Sequence, residues 1–561
     1  MSTFRAYSLF SIISALITRY VWTYLSTTEH CYTQITTLSG TKSQVNCFTV
    51  SRSGHFKSVY AKTDLHATQD GYVLPGLWDG HGHILQYGEM LHSVDLFQSS
   101  SKTEVCKRIV DYLDIHPDEG NASSWIRGMG WDQAAFGGVM PTAADLEADV
   151  KLQGKYIMLD RVDVHCIWVS QAVLNLLSKP LPDHVAGGEI VREPGLGVFC
   201  DNAMDLVTSV FPEVSRAKKA QWLSSAMAGL NSVGIVGVHD AGVKPDNIEL
   251  YLEKAGGRDW TVRVYAMLAC SVGNSFCPQS ARKVSTPDGM LSVRSVKLFA
   301  DGALGSWGSA MLEPYNDRPG ERGSLLVNSS TLTNLATSWA GLGYQVNIHA
   351  IGDLANRNAI DALTAALKAV CSEQDTDLKA CQEKARFRIE HSQIIHPDDQ
   401  ARMHNLGIIP SIQPTHATSD MEYAEDRLGQ QRIKTEAYRM RSLSDLQFIL
   451  GSDFPVEPPP PLEGIFAAVT RRSPRTGRGR GGKETGWHTE EAISVKEALL
   501  GFTQNAARGA FLEGRAGLIQ EGAFADWIVL DRNILQIPTD ELREVIVKET
   551  WVGGKKVFQR K

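Results

Sequence analysis

A closed parallel α/β barrel, with a small β-domain contributed by both chain ends, is the fold that this sequence predicts. Three observations carry the expectation. The middle of the chain alternates short apolar strands with helical patterns, which implies a parallel sheet covered by helices. Eight such strands occur, enough to close the sheet into a (β/α)8, TIM-like barrel. The two ends share another style, short β-runs punctuated by glycine. A chain of 561 residues accommodates one large barrel and a satellite domain.

The elements follow in order. Arg5 precedes an apolar run, AYSLFSIISALI, of signal-peptide length. Arg19 falls inside any spanning window of ~20 residues, and no small-residue cleavage site is evident. Residues 1–30 therefore read as a signal peptide or an uncleaved signal anchor. Residues 31–74, rich in Thr, Val, Tyr and Ser, read as strands. The barrel occupies 75–500. Its strands are LPGLWDG (74–80), GIVGVHD (234–240), TVRVYAML (261–268), RSVKLFAD (294–301), YQVNIHA (344–350), RFRIEHS (386–392), LGIIPSI (406–412) and LQFILGSD (446–453). An open doubly wound sheet is the rival, but no GxGxxG follows the first strand. Residues 85–225 are too long for one crossover and read as an insertion over the barrel mouth. It holds a helix at 101–114, another after Pro141, and the apolar segment YIMLDRVDVHCIWVS. Residues 501–561 complete the β-domain, with a hairpin turning at Gly553-Gly554.

Composition excludes several functions. Hydrophobic residues make up 43% and charged residues 21%, and the net charge is −7, so nothing electrostatic favours nucleic acid. The basic loop RRSPRTGRGRGGK (471–483) has no interleaved aromatics and reads as solvated. The nine cysteines include no CxxC pair, which argues against a thiolate zinc site. Their odd number leaves at least one thiol unpaired, and Cys371 with Cys381 could close a loop. Two sequons, at Asn121 and Asn328, are compatible with a secretory route. The expected location is that route, membrane-anchored or secreted, with the cytoplasm as the alternative.

The strand ends hold the chemistry. His81 and His83 are two apart, so on a strand both imidazoles face one way. His349 ends QVNIHA, His391 ends RIEH, Asp453 ends FILGSD, and Lys297 lies in SVKLFA. Catalytic groups of such barrels gather at the C-terminal strand ends. A single strand-end histidine is most often structural, and Lys297 alone reads as an ion pair with Asp301 or Glu390. Four histidines and an aspartate on one rim instead suit a divalent metal, zinc first.

The chain resembles the amidohydrolase superfamily, in its amidohydrolase-3 (YtcJ-like) branch, which includes N-substituted formamide deformylase. The matching motifs are LPGLWDGHGH, WIRGMGWDQ, RVDVHCIWVS, GIVGVHDAG, SVKLFADGALGS, VNIHAIGD, RFRIEHSQ, GSDFPVEP and FADWIVLD, in order across 72–531. The resemblance implies a metal-dependent hydrolase barrel with a β-sandwich built from both chain ends. It implies that His81 and His83 bind one metal, and that His349 and His391 bind a second or help hold the only one. Lys297 would be a carboxylated lysine bridging two metals, and Asp453 a ligand and general base. Gly82, between the first two histidines, departs from the larger residue usual in relatives.

The expected reaction is hydrolysis of a non-peptide C–N bond in a small amide, formamide or cyclic amide. Metal-activated hydroxide attacks and Asp453 carries the proton. His165 or His239 could donate to the oxyanion, and Trp131 and Asp132 could line the substrate cleft, each against a purely structural alternative. The rivals are a mononuclear deaminase and a catalytically silent scaffold. The expected partner is a small-molecule substrate. Membrane attachment through the N-terminus and a homodimer are left open.

Overall fold

The computed structural model describes residues 27–40, 44–63, 69–371 and 377–561. The leader segment expected over 1–30 lies outside these residues up to 26; Thr27 already begins a strand. Among the described residues no helix is long and apolar enough to cross a membrane.

Each of the eight expected barrel strands is present. They are β1 (Leu77–Gly82), β2 (Ile235–Val243), β3 (Arg263–Leu268), β4 (Leu291–Phe299), β5 (Gln345–Ala350), β6 (Arg388–His391), β7 (Ile409–Ile412) and β8 (Ile449–Leu450). Successive strands pair in parallel from β1 through β8. β8 is short because the chain beyond it is held by a side chain. The Asp79 carboxylate accepts from Ser452 N–H and from its hydroxyl at 2.7 Å. The barrel then closes through Asp453 N–H to the His81 carbonyl (2.7 Å) and His83 N–H to the Phe454 carbonyl (2.8 Å). Gly82 is required at this closure: a Cβ there would lie 2.2 Å from the Phe454 ring.

The strands are buried on both faces, as parallel strands under helices must be; all six residues of β5 are buried. The covering helices begin and end where the sequence signals it. Arg216–Ser232 starts at Ser215, whose side chain accepts from Lys218 N–H, and gives way to Gly234 in the left-handed region. Asp353–Val370 buries an Ala- and Leu-rich face.

The ends of the chain meet in one seven-stranded path. Strands Trp527–Leu530 and Gln69–Pro75 are its centre. Thr27–Ile35, Cys47–Ser51 and Phe56–Tyr60 extend it on one side, and the hairpin Val547–Val552/Lys555–Gln559 on the other. Both halves supply the core between them, including Tyr32, Phe48, Phe56 and Trp527. The hairpin turns at Gly553 and Gly554, both at positive φ.

Within the expected insertion a six-stranded sheet spans Val94–Asp95 to Val198–Asp201. YIMLDRVDVHCIWVS forms the hairpin Ile157–Arg161/Cys166–Val169 at its centre. The helix expected at 101–114 is Lys102–Ile115, capped by Ser101. Four disulfides form: Cys31–Cys47, Cys166–Cys200, Cys270–Cys277 and Cys371–Cys381. Cys106 stays free and buried.

One buried ion pair ties barrel to β-domain. Arg263 of β3 donates to both oxygens of Asp526, at 2.6 and 2.9 Å, while its guanidinium stacks 3.8 Å over Phe524. Removing one partner strands the other charge in a dry environment. Asp526→Ala is expected to destabilise by about 3–5 kcal/mol, measured as a lowered thermal midpoint. Asp526→Asn, which keeps an acceptor, should lose less.

Candidate metal centre

β1 delivers the first candidate ligands. Asp79, His81 and the following His83 are two apart. Asp79 turns to the closing seam, and His81 turns inward and is fully buried. His81 Nδ1 lies 2.5 Å from Glu390 Oε2. With Nδ1–H donated to that carboxylate, the Nε2 lone pair points into the cluster, the arrangement usual behind metal-binding histidines. β6 ends in His391 and the β8 extension in Asp453. Both stand at positive φ, 71° and 66°, conformations costing ~1–3 kcal/mol each and concentrated at functional sites. Ligand atoms of His81, His391 and Asp453 all lie within 4.8 Å of one another.

The other expected ligands surround this group. His83 Nε2 is 3.0 Å from Asp453 Oδ1. The His349 ring is 4.3 Å from that of His391, and its Nε2 lies 3.7 Å from Asp301. Lys297 Nζ lies 3.1 Å from His81 Nε2. The bland alternative for Lys297 was an ion pair with Asp301 or Glu390, and both carboxylates are engaged elsewhere. Asp301 accepts the backbone N–H groups of Ala310, Ile351 and Gly352. Glu390 takes Arg388 at 2.8 Å as well as His81.

Electrostatics favour ligation. Burial, reinforced by the Lys297 charge, lowers His81 to about 4. Burial also drives His349 and His391 well below the usual histidine range, so the imidazoles are neutral donors at physiological pH. Burial opposes the charge on Asp453, but His81 and the His83 hydrogen bond outweigh it and hold the carboxyl below the ordinary range. Burial pulls Lys297 down to about 8 against the pull of Glu390 and Asp453. His349 Nε2 and His391 Nδ1 are buried and find no hydrogen-bond partner among the described residues. Orphaned imidazole nitrogens beside a carboxylate fit a divalent cation.

Above the cluster lies a cavity of 380 Å³, lined by His81, His83, Asp132, His165, Lys297 and Asp453 among others. Asp132 and His165 both line this cavity. Trp131 and His239 do not. Trp131 is fully buried in the insertion, donates to the Leu159 carbonyl and packs against Trp168. His239 faces inward from β2 but one layer too deep, where Nδ1 accepts from Arg388 at 2.6 Å; both are core residues.

Three residues escaped sequence reasoning. Glu390 precedes a ligand and, by strand alternation, should point away from it; the clue was charge at two alternate positions, Arg388 and Glu390, in an otherwise apolar strand. His416 follows β7, lines the cavity and lies 3.7 Å from Asp453 Oδ2. It obeys the same strand-end rule as the others. Asp79, two residues before His81, carries no sequence signal that sets it apart from its neighbours. Burial raises it to about 7 despite its bonds to Ser452 and His81.

A model of the amidohydrolase family matches residues 68–558. The chain belongs to the amidohydrolase family. It is 30% identical to protein LONG AFTER FAR-RED 3 of Arabidopsis thaliana, over 87% of this chain and 82% of the relative. It is 25% identical to N-substituted formamide deformylase of Arthrobacter pascens, over 87% and 88%. Among solved structures it is similar to an uncharacterized metal-dependent hydrolase from Pyrococcus horikoshii OT3. That match has a TM-score of 0.70 and 23% identity, covering 92% of this chain and 99% of the other.

Glu390→Gln removes the charge behind His81 without emptying the site. Metal retention is expected to weaken about 10- to 100-fold, read by chelator competition; retention equal to wild type would remove Glu390 from the centre.

Proposed function

We propose that this protein is a metal-dependent hydrolase of a non-peptide C–N bond in a small amide, formamide or cyclic amide. The observation that carries this reading is the convergence of His81, His391 and Asp453 beneath a cavity of small-molecule size. Family membership supports a hydrolase, and the similarity to N-substituted formamide deformylase supports a formamide or short acyl amide.

His81, His391 and Asp453 would hold the ion, with His83 and His349 as the neighbouring donors. Zinc suits this donor set best, and such an ion supplies Lewis-acid polarisation and makes water a nucleophile at neutral pH. Asp453 takes the proton of the attacking water and returns it to the leaving nitrogen, as base and then acid. His83, 3.0 Å from Asp453 Oδ1, orients that carboxylate. Lys297, buried and lowered to about 8, keeps an accessible neutral amine. That amine can add CO2 and lose a proton, giving a carbamate that would bridge a second ion.

A mononuclear deaminase is the second reading. It is favoured by one feature: three ligand atoms, not more, converge within 4.8 Å among the described residues. The chain follows the secretory route in this proposal. Four disulfides support an oxidising compartment, and both sequon asparagines, Asn121 and Asn328, are exposed.

The purified chain, loaded with zinc, should hydrolyse members of a panel of N-formyl, N-acyl and cyclic amides. Two metal equivalents by elemental analysis favour the bridged hydrolase. One equivalent, with ammonia released from an aminated ring instead, favours the deaminase. Asp453→Asn should retain metal and lose about 10²-fold or more in kcat; full turnover in that variant would refute the base.

A further inference from the structure

One residue of the insertion, His165, enters the cavity, and the chain fastens it from behind through Asp201. His165 Nδ1 lies 2.7 Å from Asp201 Oδ1. The Asp201 N–H also donates to the His165 carbonyl at 2.9 Å. The next rung of the same antiparallel ladder sets Cys166 opposite Cys200, and a disulfide joins them. Both cysteines are buried. Asp201 stands at φ 50°, a strained conformation that its surroundings must impose. The loop after β4 closes on its carboxylate: a Cβ on Gly302 would lie 2.7 Å from Oδ1, and one on Gly308 2.9 Å from Oδ2.

His165 faces the candidate centre, with Asp201 behind it. His165 lines the cavity, and its ring centroid is 5.8 Å from that of His349. With Nδ1 committed to Asp201, Nε2 is left for the cavity. Burial disfavours a charged ring there, and the bond and charge of Asp201 outweigh it, raising His165 to about 9. A donor to developing negative charge works only if it is fixed before the reaction, and a carboxylate behind an imidazole fixes ring and tautomer. The insertion is not part of the barrel ladder, so barrel geometry alone does not set the position of His165.

We propose that His165 is a catalytic hydrogen-bond donor to the substrate oxygen, that Asp201 is its positioning residue, and that the Cys166–Cys200 disulfide clamps the two in register. The proposal rests on the hydrolase reading above. It makes a cross-link in the insertion a determinant of turnover in the barrel.

Four variants test it on the amide that the wild type cleaves: His165→Gly, Asp201→Asn, the double His165→Gly/Asp201→Asn, and Cys166→Ala/Cys200→Ala. His165→Gly should lose about 10²–10³-fold in kcat, with bound metal and KM near wild type, and regain part of it with added imidazole. Asp201→Asn should lose about 10–100-fold, and the double variant no more than His165→Gly alone, because the two act as a unit. The cysteine pair variant should lose about tenfold in kcat with metal retained, whereas Cys31→Ala/Cys47→Ala in the β-domain should keep wild-type turnover. Wild-type kcat in His165→Gly, or additive losses in the double variant, would overturn the donor and its positioning. Wild-type kcat in the Cys166/Cys200 variant would overturn the clamp. Acetohydroxamate binding by calorimetry separates this from failure of the hydrolase reading. If no amide turns over, a roughly tenfold weaker affinity in His165→Gly still supports the donor, and equal affinity overturns it.

Discussion

The candidate centre depends on the seam between the first and last barrel strands. Asp453 N–H to the His81 carbonyl, at 2.7 Å, joins two ligands through their own backbones, although they lie at opposite ends of the barrel sequence. The Asp79 carboxylate reinforces the seam by gathering both Ser452 donors and the His81 N–H. An ordinary eighth strand would pair along its length and carry Asp453 past the rim. A two-residue strand, continued by side-chain bonds, lets the chain turn to positive φ at Asp453. Gly82, against the Phe454 ring, is the steric half of the same solution.

Beneath the ligands a polar layer plugs the barrel. Arg388 reaches Gly80 O, Ser411 Oγ, Glu390 and His239 Nδ1 from one guanidinium. Its planar fork satisfies four strands at once, which a lysine could not do. Glu390 then carries the orientation upward, to His81 Nδ1. Burying this charge pair gains little stability in itself. Its carboxylate beside Nδ1 favours the His81 tautomer with the proton on Nδ1, which would turn the Nε2 lone pair toward a cation.

How much of this was legible in the sequence follows from which residues obey local rules. Strand ends are local, so the strand positions were legible from apolar runs, and His81, His83, His349, His391 and Asp453 stand out as their terminal polar residues, with Lys297 as a charge inside one run. Depth inside a closed barrel is not local. It depends on the stagger between strands, and so sequence leaves His239, inward-facing like the others, open between an oxyanion donor and a structural residue, whereas it sits a layer below the cleft. Glu390 was missed for the converse reason. The turn to positive φ at His391 breaks the alternation that would set neighbours on opposite sides, so both residues serve the same centre. Trp131 and Asp132 are adjacent in sequence yet divide between a core and a cleft, because strand Ile126–Trp131 ends between them. Only the fold of the insertion decides which one faces substrate.

The same desolvation explains why this cluster suits a metal and not a hydrogen-bond network. Placing His81, His349 and His391 in the barrel interior suppresses their protonation; a set of exposed histidines would instead protonate near pH 6.5 and repel a cation. A buried neutral imidazole still has a lone pair to satisfy, and protein donors are scarce here: Lys297 serves His81 Nε2, while His349 Nε2 and His391 Nδ1 have no partner among the described residues. An unsatisfied buried acceptor costs about 1–3 kcal/mol. Several held together are tolerable only if something else completes them. A divalent cation would do so while neutralising Asp453, the carboxylate held below the ordinary range at the centre. Burial of these imidazoles is therefore what makes the cluster fit a cation.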